Sequence, residues 1–273
     1  MARWTLDSID WERFDARRVS PDLLAIAKAA ALVENNGLDY ERYPAGVFAD
    51  DPEFRAAAAA WAEEEVQHGA ALARWVRLAD PGWDFGAAAA RFTAGYRVDL
   101  TATRSVRGSR AGELIARCMV ETGTSSYYSA IADAAEEPVL REICRRIAAD
   151  EFRHYKLFYD HMRRYLDRER LGGAGRLRIG LGRLFEAGDD ELAYAFFAAN
   201  APADARYDRR RWSRAYARRA YALYRPAHVA RGIAMALKAM GLPANGRLHA
   251  ALWPLAARGL SWRARRLAAA RAD

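Results

Sequence analysis

The chain has 273 residues, of which 52% are hydrophobic, and a formal net charge of +8. This length can bury a large core in one domain, and the abundance of Ala, Leu, Arg and Glu predicts an all-α protein. Two cysteines are too few for a disulfide framework or a cysteine-based metal site. No apolar stretch reaches the length of a transmembrane helix and no secretory signal pattern is visible, so the expected location is the cytoplasm.

Capping signals and apolar periodicity predict four long helices in the first two thirds of the chain. Ser20-Pro21, Asp51-Pro52 and Glu137-Pro138 each place a capping residue before a proline that suits the first helical turn. The helices are predicted at about residues 20–36, 51–79, 109–135 and 137–171. Residues 80–108 form a long crossover, with a short helix at about 86–94, between the second and third helices.

A glycine-rich stretch at residues 172–175 marks the predicted end of this four-helix unit. We expect residues 1–171 to form one bundle domain, with residues 1–19 as an N-terminal arm. Residues 172–273 are expected to form a basic extension of shorter helices packed on the bundle. The arginines of this extension suit an acidic protein, nucleic acid or an anionic membrane surface.

The stretch Asp150-Glu151-Phe152-Arg153-His154 lies within the fourth predicted helix. Glu151 and His154 are about one turn apart and share a face with apolar neighbours. Burying a carboxylate and an imidazole there is costly unless both bind something, and a metal ion satisfies both. Glu65 and His68 repeat this spacing on the second helix, in a chain with only five histidines.

The first and third helices each add one carboxylate to an apolar face. Glu34 lies 31 residues before Glu65, and Glu121 lies 30 residues before Glu151, so the order Glu, Glu-x-x-His occurs twice. This order is typical of a di-metal carboxylate site inside a four-helix bundle. Oxygen and imidazole donors favour two iron ions, with manganese as the alternative. The predicted ligands are Glu34, Glu65, His68, Glu121, Glu151 and His154, with Asp39 or Glu41 as replacements for Glu34 if the first helix ends early.

Two further carboxylates are predicted to orient the histidines. A metal-bound histidine usually donates its second N–H to a carboxylate. Asp150 and Glu64 each precede a predicted ligand, and approximate two-fold symmetry assigns Asp150 to His68 and Glu64 to His154. We predict no metal role for the other three histidines, which are His161, His228 and His249. His228 and His249 are also expected to have no matching carboxylate.

Three segments resemble motifs of the soluble acyl-acyl carrier protein desaturases. Residues 143–154 resemble the stretch around the family's Asp-Glu-Lys-Arg-His motif, with Phe152 in place of lysine. Residues 62–69 resemble its Glu-Glu-Asn-Arg-His-Gly motif, and Val66 and Gln67 depart from it. Glu121-Thr122-Gly123-Thr124 resembles the Glu-x-x-Thr of the family's third helix.

The resemblance implies a ferritin-like bundle with a di-iron centre that uses dioxygen to remove hydrogens from an acyl chain. It implies a ferredoxin-like electron donor and an acidic acyl carrier protein as partners. In the family's motif the threonine lies on the oxygen-binding side of the metals, which makes Thr124 the candidate catalytic residue. For the oligomeric state, a homodimer is an open alternative.

Two other functions remain open from the sequence. Arg209-Arg210-Arg211, Trp212, Tyr216 and Arg218-Arg219 would suit a di-iron hydroxylase of a nucleic-acid substrate such as a tRNA base. An amphipathic helix with outward arginines, or contact with an anionic membrane, explains the same residues. A non-catalytic, ferritin-like iron-binding protein is the other alternative, and the basic extension argues against it.

Overall fold

The structure is a computed structural model that describes residues 4–96, 102–186 and 190–270. Three short 3₁₀ turns lie between Leu6 and Arg18, and no strand occurs among the described residues. The prediction of an all-α protein is therefore confirmed. The helices are α1 (Pro21–Asn35), α2 (Gly37–Val47), α3 (Pro52–Ala79), α4 (Phe85–Gly95), α5 (Arg110–Ala134), α6 (Pro138–Glu169), α7 (Gly173–Glu186), α8 (Asp190–Asn200), α9 (Arg209–Leu223), α10 (Pro226–Ala239) and α11 (Arg247–Ala269).

The four predicted long helices correspond to α1, α3, α5 and α6. Their N-termini are capped as the sequence indicates: the side chains of Ser20, Asp51 and Glu137 accept hydrogen bonds from backbone N–H groups three residues later. The non-helical segment after α6 does not extend through the predicted glycine-rich stretch, because α7 already begins at Gly173. Arg170, with φ of 52°, adopts the left-handed conformation that ends α6.

Two apolar layers lie along the four long helices. The arm-side layer includes Ile26, Leu72, Trp75, Ile131 and Ile147, together with Trp4 of the N-terminal arm. The far layer includes Phe54, Trp61, Leu114, Phe158 and Met162. The order of these residues in the chain shows that α1 and α6 run from the arm-side layer to the far layer, whereas α3 and α5 run the opposite way. The connection through α4 therefore joins two helices of the same direction.

The remaining helices cover the outside of this unit. Helix α8 packs on α1 and α4, α9 contacts α1 and α5, α10 packs on α5, and α11 packs on α9 and α10. The predicted domain boundary at residue 171 stays a prediction. Within the described ranges, no helix is both long and apolar enough to cross a membrane.

Candidate metal centre

A layer of buried polar side chains separates the two apolar layers. All six predicted ligands lie in it, and each is buried. Helices α1, α3, α5 and α6 supply Glu34, Glu65 with His68, Glu121, and Glu151 with His154 respectively. The alternative ligands Asp39 and Glu41 are only half-buried on α2 and belong to neither group of potential ligands found among the described residues.

The first group consists of Glu34, Glu65, His68 and Glu151. His68 Nδ1 lies 3.6 Å from a Glu34 oxygen, 3.7 Å from a Glu65 oxygen and 3.3 Å from Glu151 Oε1. Donor atoms that share one first-row metal ion lie within about twice the ~2 Å metal–ligand bond length of each other. These separations are therefore compatible with one ion between the four side chains.

The second group consists of Glu65, Glu121, Glu151 and His154. His154 Nδ1 lies 3.0 Å from Glu65 Oε1 and 3.8 Å from oxygens of both Glu121 and Glu151. Glu65 and Glu151 thus belong to both groups and present a different oxygen to each histidine. Two carboxylates shared between two neighbouring groups can bridge two metal ions.

The outer nitrogen of each histidine contacts a carboxylate, in the pairing that the sequence predicts. His68 Nε2 lies 3.0 Å from Asp150 Oδ2, and His154 Nε2 lies 2.7 Å from Glu64 Oε2. In a neutral ring whose Nε2–H donates to the carboxylate, the lone pair is on Nδ1, which points into the polar layer.

Three buried atoms of this layer have no hydrogen-bond partner among the described residues: His68 Nδ1, His154 Nδ1 and Glu151 Oε1. Leaving a buried polar atom unpaired is costly, and here all three belong to predicted ligands and face the other ligands. A cation between the groups would satisfy them. The residues present therefore fit a metal ion, and their charge fits two divalent ions because four carboxylates balance them.

The titration behaviour of these side chains reflects the crowding of carboxylates. Burial raises the pKa of Glu34 well above its usual range, and repulsion from Glu65 adds to this. Burial also raises the pKa of Glu121. Burial would lower the pKa of His68, but its contacts with Asp150 and the ligand carboxylates raise it well above its usual range. The layer thus favours positive charge at its centre, which a metal ion supplies.

Two hydroxyl groups hold ligand carboxylates. Thr124 Oγ1 donates to Glu151 Oε2 at 2.6 Å, so the threonine suggested by the family resemblance does reach the polar layer. Tyr128 donates its hydroxyl to Glu34 Oε1. Sequence periodicity places Tyr128 on the inward face but gives no sign of this contact, since the two residues lie on different helices.

The N-terminal arm contributes a side chain that the sequence does not reveal. Trp4 Nε1 donates to Asp150 Oδ2 at 2.7 Å, and its ring is stacked on His68 at 6.0 Å between centroids. Nothing in an arm of mixed polar and aromatic residues links Trp4 to a carboxylate 146 positions later. Trp4 nevertheless completes the support of His68.

The last two histidines lie outside the polar layer, and for His228 the expected lack of a carboxylate is wrong. His228 is buried on α10, and its Nε2 lies 3.0 Å from Asp133 Oδ2 of α5. This pair fastens α10 to the end of α5. His249 Nε2 contacts the carbonyl oxygen of Ala230 and joins α11 to α10.

Comparison of the chain with known protein families and with curated proteins finds no match.

Proposed function

We propose that this protein is a ferritin-like di-iron oxidoreductase that uses dioxygen to oxidise an acyl chain or a similarly apolar substrate. The observation that carries the proposal is the pair of four-residue groups that share Glu65 and Glu151, each with one histidine whose Nδ1 is unpaired. A site for a single structural ion would need neither the second group nor the shared carboxylates. The resemblance to acyl-acyl carrier protein desaturases agrees with the same six ligands.

Iron is the metal that fits this reaction. Two iron ions held by four carboxylates and two imidazoles would keep open coordination positions and supply electrons for the reduction of dioxygen. An external electron donor, of the ferredoxin type in the resembling family, would restore the ferrous state. In a desaturation, dioxygen, two electrons and two protons would combine with the two hydrogens removed from the chain to give two waters and a double bond.

The side chains of the protein have separate tasks in this proposal. Asp150 and Glu64 would hold each neutral histidine in the tautomer whose Nδ1 lone pair is free to bind a metal ion. Thr124, whose hydroxyl now donates to Glu151, can hold or pass a proton at Oγ1. The arm-side and far apolar layers exclude water from both ends of the site.

The nucleic-acid alternative has less support. Trp212 is buried against Phe196 and Phe197, and Tyr216 packs between Phe196 and Tyr127. These rings are therefore not available to stack on bases. Arg219 bonds Asp22 of α1, which gives it a role within the fold.

Metal analysis followed by oxidation tests the proposal. Purified protein loaded anaerobically with ferrous iron should hold about two ions per chain. After reduction, exposure to oxygen should produce an absorption band of an oxidised di-iron centre, and Glu151→Ala should abolish it. Lipid profiles with and without the gene then test the acyl substrate. Absence of iron and manganese, or many ions per chain without reaction, would contradict the proposal and, in the second case, favour iron storage.

A further inference from the structure

The C-terminal part of the chain has a strongly one-sided charge. Residues 209–272 contain fifteen Arg and Lys residues and no Asp or Glu, although the whole chain carries only +8. The rest of the chain therefore sums to a formal charge of −7. Helices α9, α10 and α11 make up most of this cationic segment, and α11 packs on both α9 and α10.

Helix α11 exposes an apolar stripe within this segment. Its exposed large side chains include Leu255, at 63% exposure, and Trp262, at 54%. Leu248 and Leu252 are also exposed, and the spacing of all four residues puts them on one face of the helix. Ala257, the one buried residue of α11, lies on the opposite face. The stripe therefore points away from α9 and α10.

Arginines lie beside this stripe. By helical spacing, Arg258 and Arg265 lie along one edge of it and Arg263 along the other, and all three are exposed. Arg266 lies in line with the stripe, and its guanidinium is 4.7 Å from the ring centroid of Trp262. No carboxylate occurs anywhere on the helix to oppose them.

We propose that α11 binds the surface of an anionic lipid bilayer and lies in the interface, parallel to the membrane plane. Leucine and tryptophan would enter the boundary between headgroups and acyl chains, and the flanking arginines would contact lipid phosphates. The charge of the whole segment adds attraction to an anionic leaflet. An acidic protein or nucleic acid would also attract the arginines, but neither explains why four large apolar side chains point outward between them.

This inference is independent of the metal centre, because lipid binding needs no turnover. If both proposals hold, the anchored protein would meet apolar acyl chains at the membrane. If only one of the two proposals fails, the experiments distinguish them. Metal analysis tests the polar layer, and vesicle binding tests α11.

Vesicle co-sedimentation with the full chain tests the anchor. Vesicles of phosphatidylcholine with about 30% phosphatidylglycerol should bind the protein, whereas pure phosphatidylcholine vesicles should bind it at least tenfold more weakly. Leu255→Glu should reduce binding at least tenfold. Val106→Glu is the matched control, because Val106 is 76% exposed and lies outside α11, and it should bind as the native protein does.

A second variant, Arg258→Gln, tests the proposal even if Leu255→Glu fails to fold. Arg258→Gln removes one exposed charge and should weaken binding about fivefold at low salt. High salt should weaken the binding of every form of the protein and narrow the difference between Arg258→Gln and the native chain. The proposal is overturned if native protein does not bind anionic vesicles, if it binds neutral vesicles equally well, or if Val106→Glu is as defective as Leu255→Glu. It is also overturned if light scattering shows a dimer that Leu255→Glu dissociates and no vesicle binding, since α11 would then be an interface between two copies.

Discussion

The two histidine sides of the candidate metal centre come from the same short motif but have different surroundings. On the His68 side, Asp150 is 2% exposed and accepts hydrogen bonds from Trp4 and Arg153 as well as contacting the imidazole. On the His154 side, Glu64 is 14% exposed, contacts the imidazole and also accepts a hydrogen bond from Arg153 at 3.4 Å.

One difference comes from Trp4 of the N-terminal arm, which lies on the His68 side. Trp4 adds a hydrogen bond and a stacked ring next to His68, whereas the corresponding place near His154 has Trp61 edge-on at 6.4 Å between centroids. A hydrogen bond in a more deeply buried environment is stronger and holds its partners more rigidly. We therefore expect the metal ion on the His68 side to exchange more slowly than the ion on the His154 side.

Removing a candidate ligand that both groups share should abolish metal binding on both sides, and with it the difference between them. Glu151→Ala takes one carboxylate from each group, so we expect the metal content to fall from about two ions per chain to almost none. Elemental analysis after loading and desalting measures this. Asp160→Ala, on an exposed part of α6, is the control and should keep native metal content. Retention of one ion in Glu151→Ala would show that the two groups do not depend on a shared carboxylate.

Changing the outer carboxylates should separate the two sides. Asp150→Asn and Glu64→Gln each replace a charged acceptor of a histidine N–H, and we expect metal affinity to fall about 10- to 100-fold at the affected side. The loss should be larger for Asp150→Asn, because Asp150 is the more deeply buried of the two. Competition with a chelator measures both affinities. Equal losses would argue that the arm has no influence on the centre.

Trp4→Phe should sharpen the comparison with a smaller change. The ring remains able to stack near His68, but the N–H that donates to Asp150 is lost. We expect the slower-exchanging ion to exchange up to about tenfold faster, and the other ion to be unaffected. Release of metal to a chelator, followed over time, resolves the two phases. Trp11→Phe is the control, since Trp11 donates to the Leu6 carbonyl and not to a side chain of the polar layer. An identical effect of both variants would indicate general loosening of the arm.

Asp51 provides a reference far from both sides, with the smallest expected effect. Burial acts to raise the pKa of Asp51, but hydrogen bonds from the Phe54 N–H and the Tyr165 hydroxyl outweigh it and lower the pKa. A lowered folded-state pKa gives stability that is present above the unfolded pKa and lost as the pH falls through the folded value.

Asp51→Asn should therefore lower the free energy of unfolding by up to about 1 kcal/mol at pH 7, and the difference should shrink towards about pH 3. Denaturant unfolding of metal-free protein at both pH values measures it. Metal exchange at the two histidine sides should not change. A difference that stays constant with pH would mean that the charge of Asp51 does not contribute.

The sequence determined the four long helices and the two Glu-x-x-His pairs because both depend on local spacing. Capping residues and apolar periodicity place α1, α3, α5 and α6, and residues one turn apart on a helix face the same way whatever surrounds them. Glu65 with His68, and Glu151 with His154, could therefore be identified as pairs. The repeated order Glu, Glu-x-x-His then identified Glu121. The approximate two-fold symmetry of that order assigned Asp150 to His68 and Glu64 to His154.

Only the tertiary structure decided which distant residues meet. It placed Glu34, rather than Asp39 or Glu41, beside the other candidate ligands, because the end of α1 packs very closely against α3. A Cβ added at Gly69 of α3 would lie only 2.5 Å from the backbone nitrogen of Asn35. It also brought Trp4 to Asp150 and Tyr128 to Glu34. Such contacts depend on how whole helices and the arm pack, and no local pattern encodes them. The near-symmetry of the motif thus came from the sequence, and the unequal environments of its two halves came from the fold.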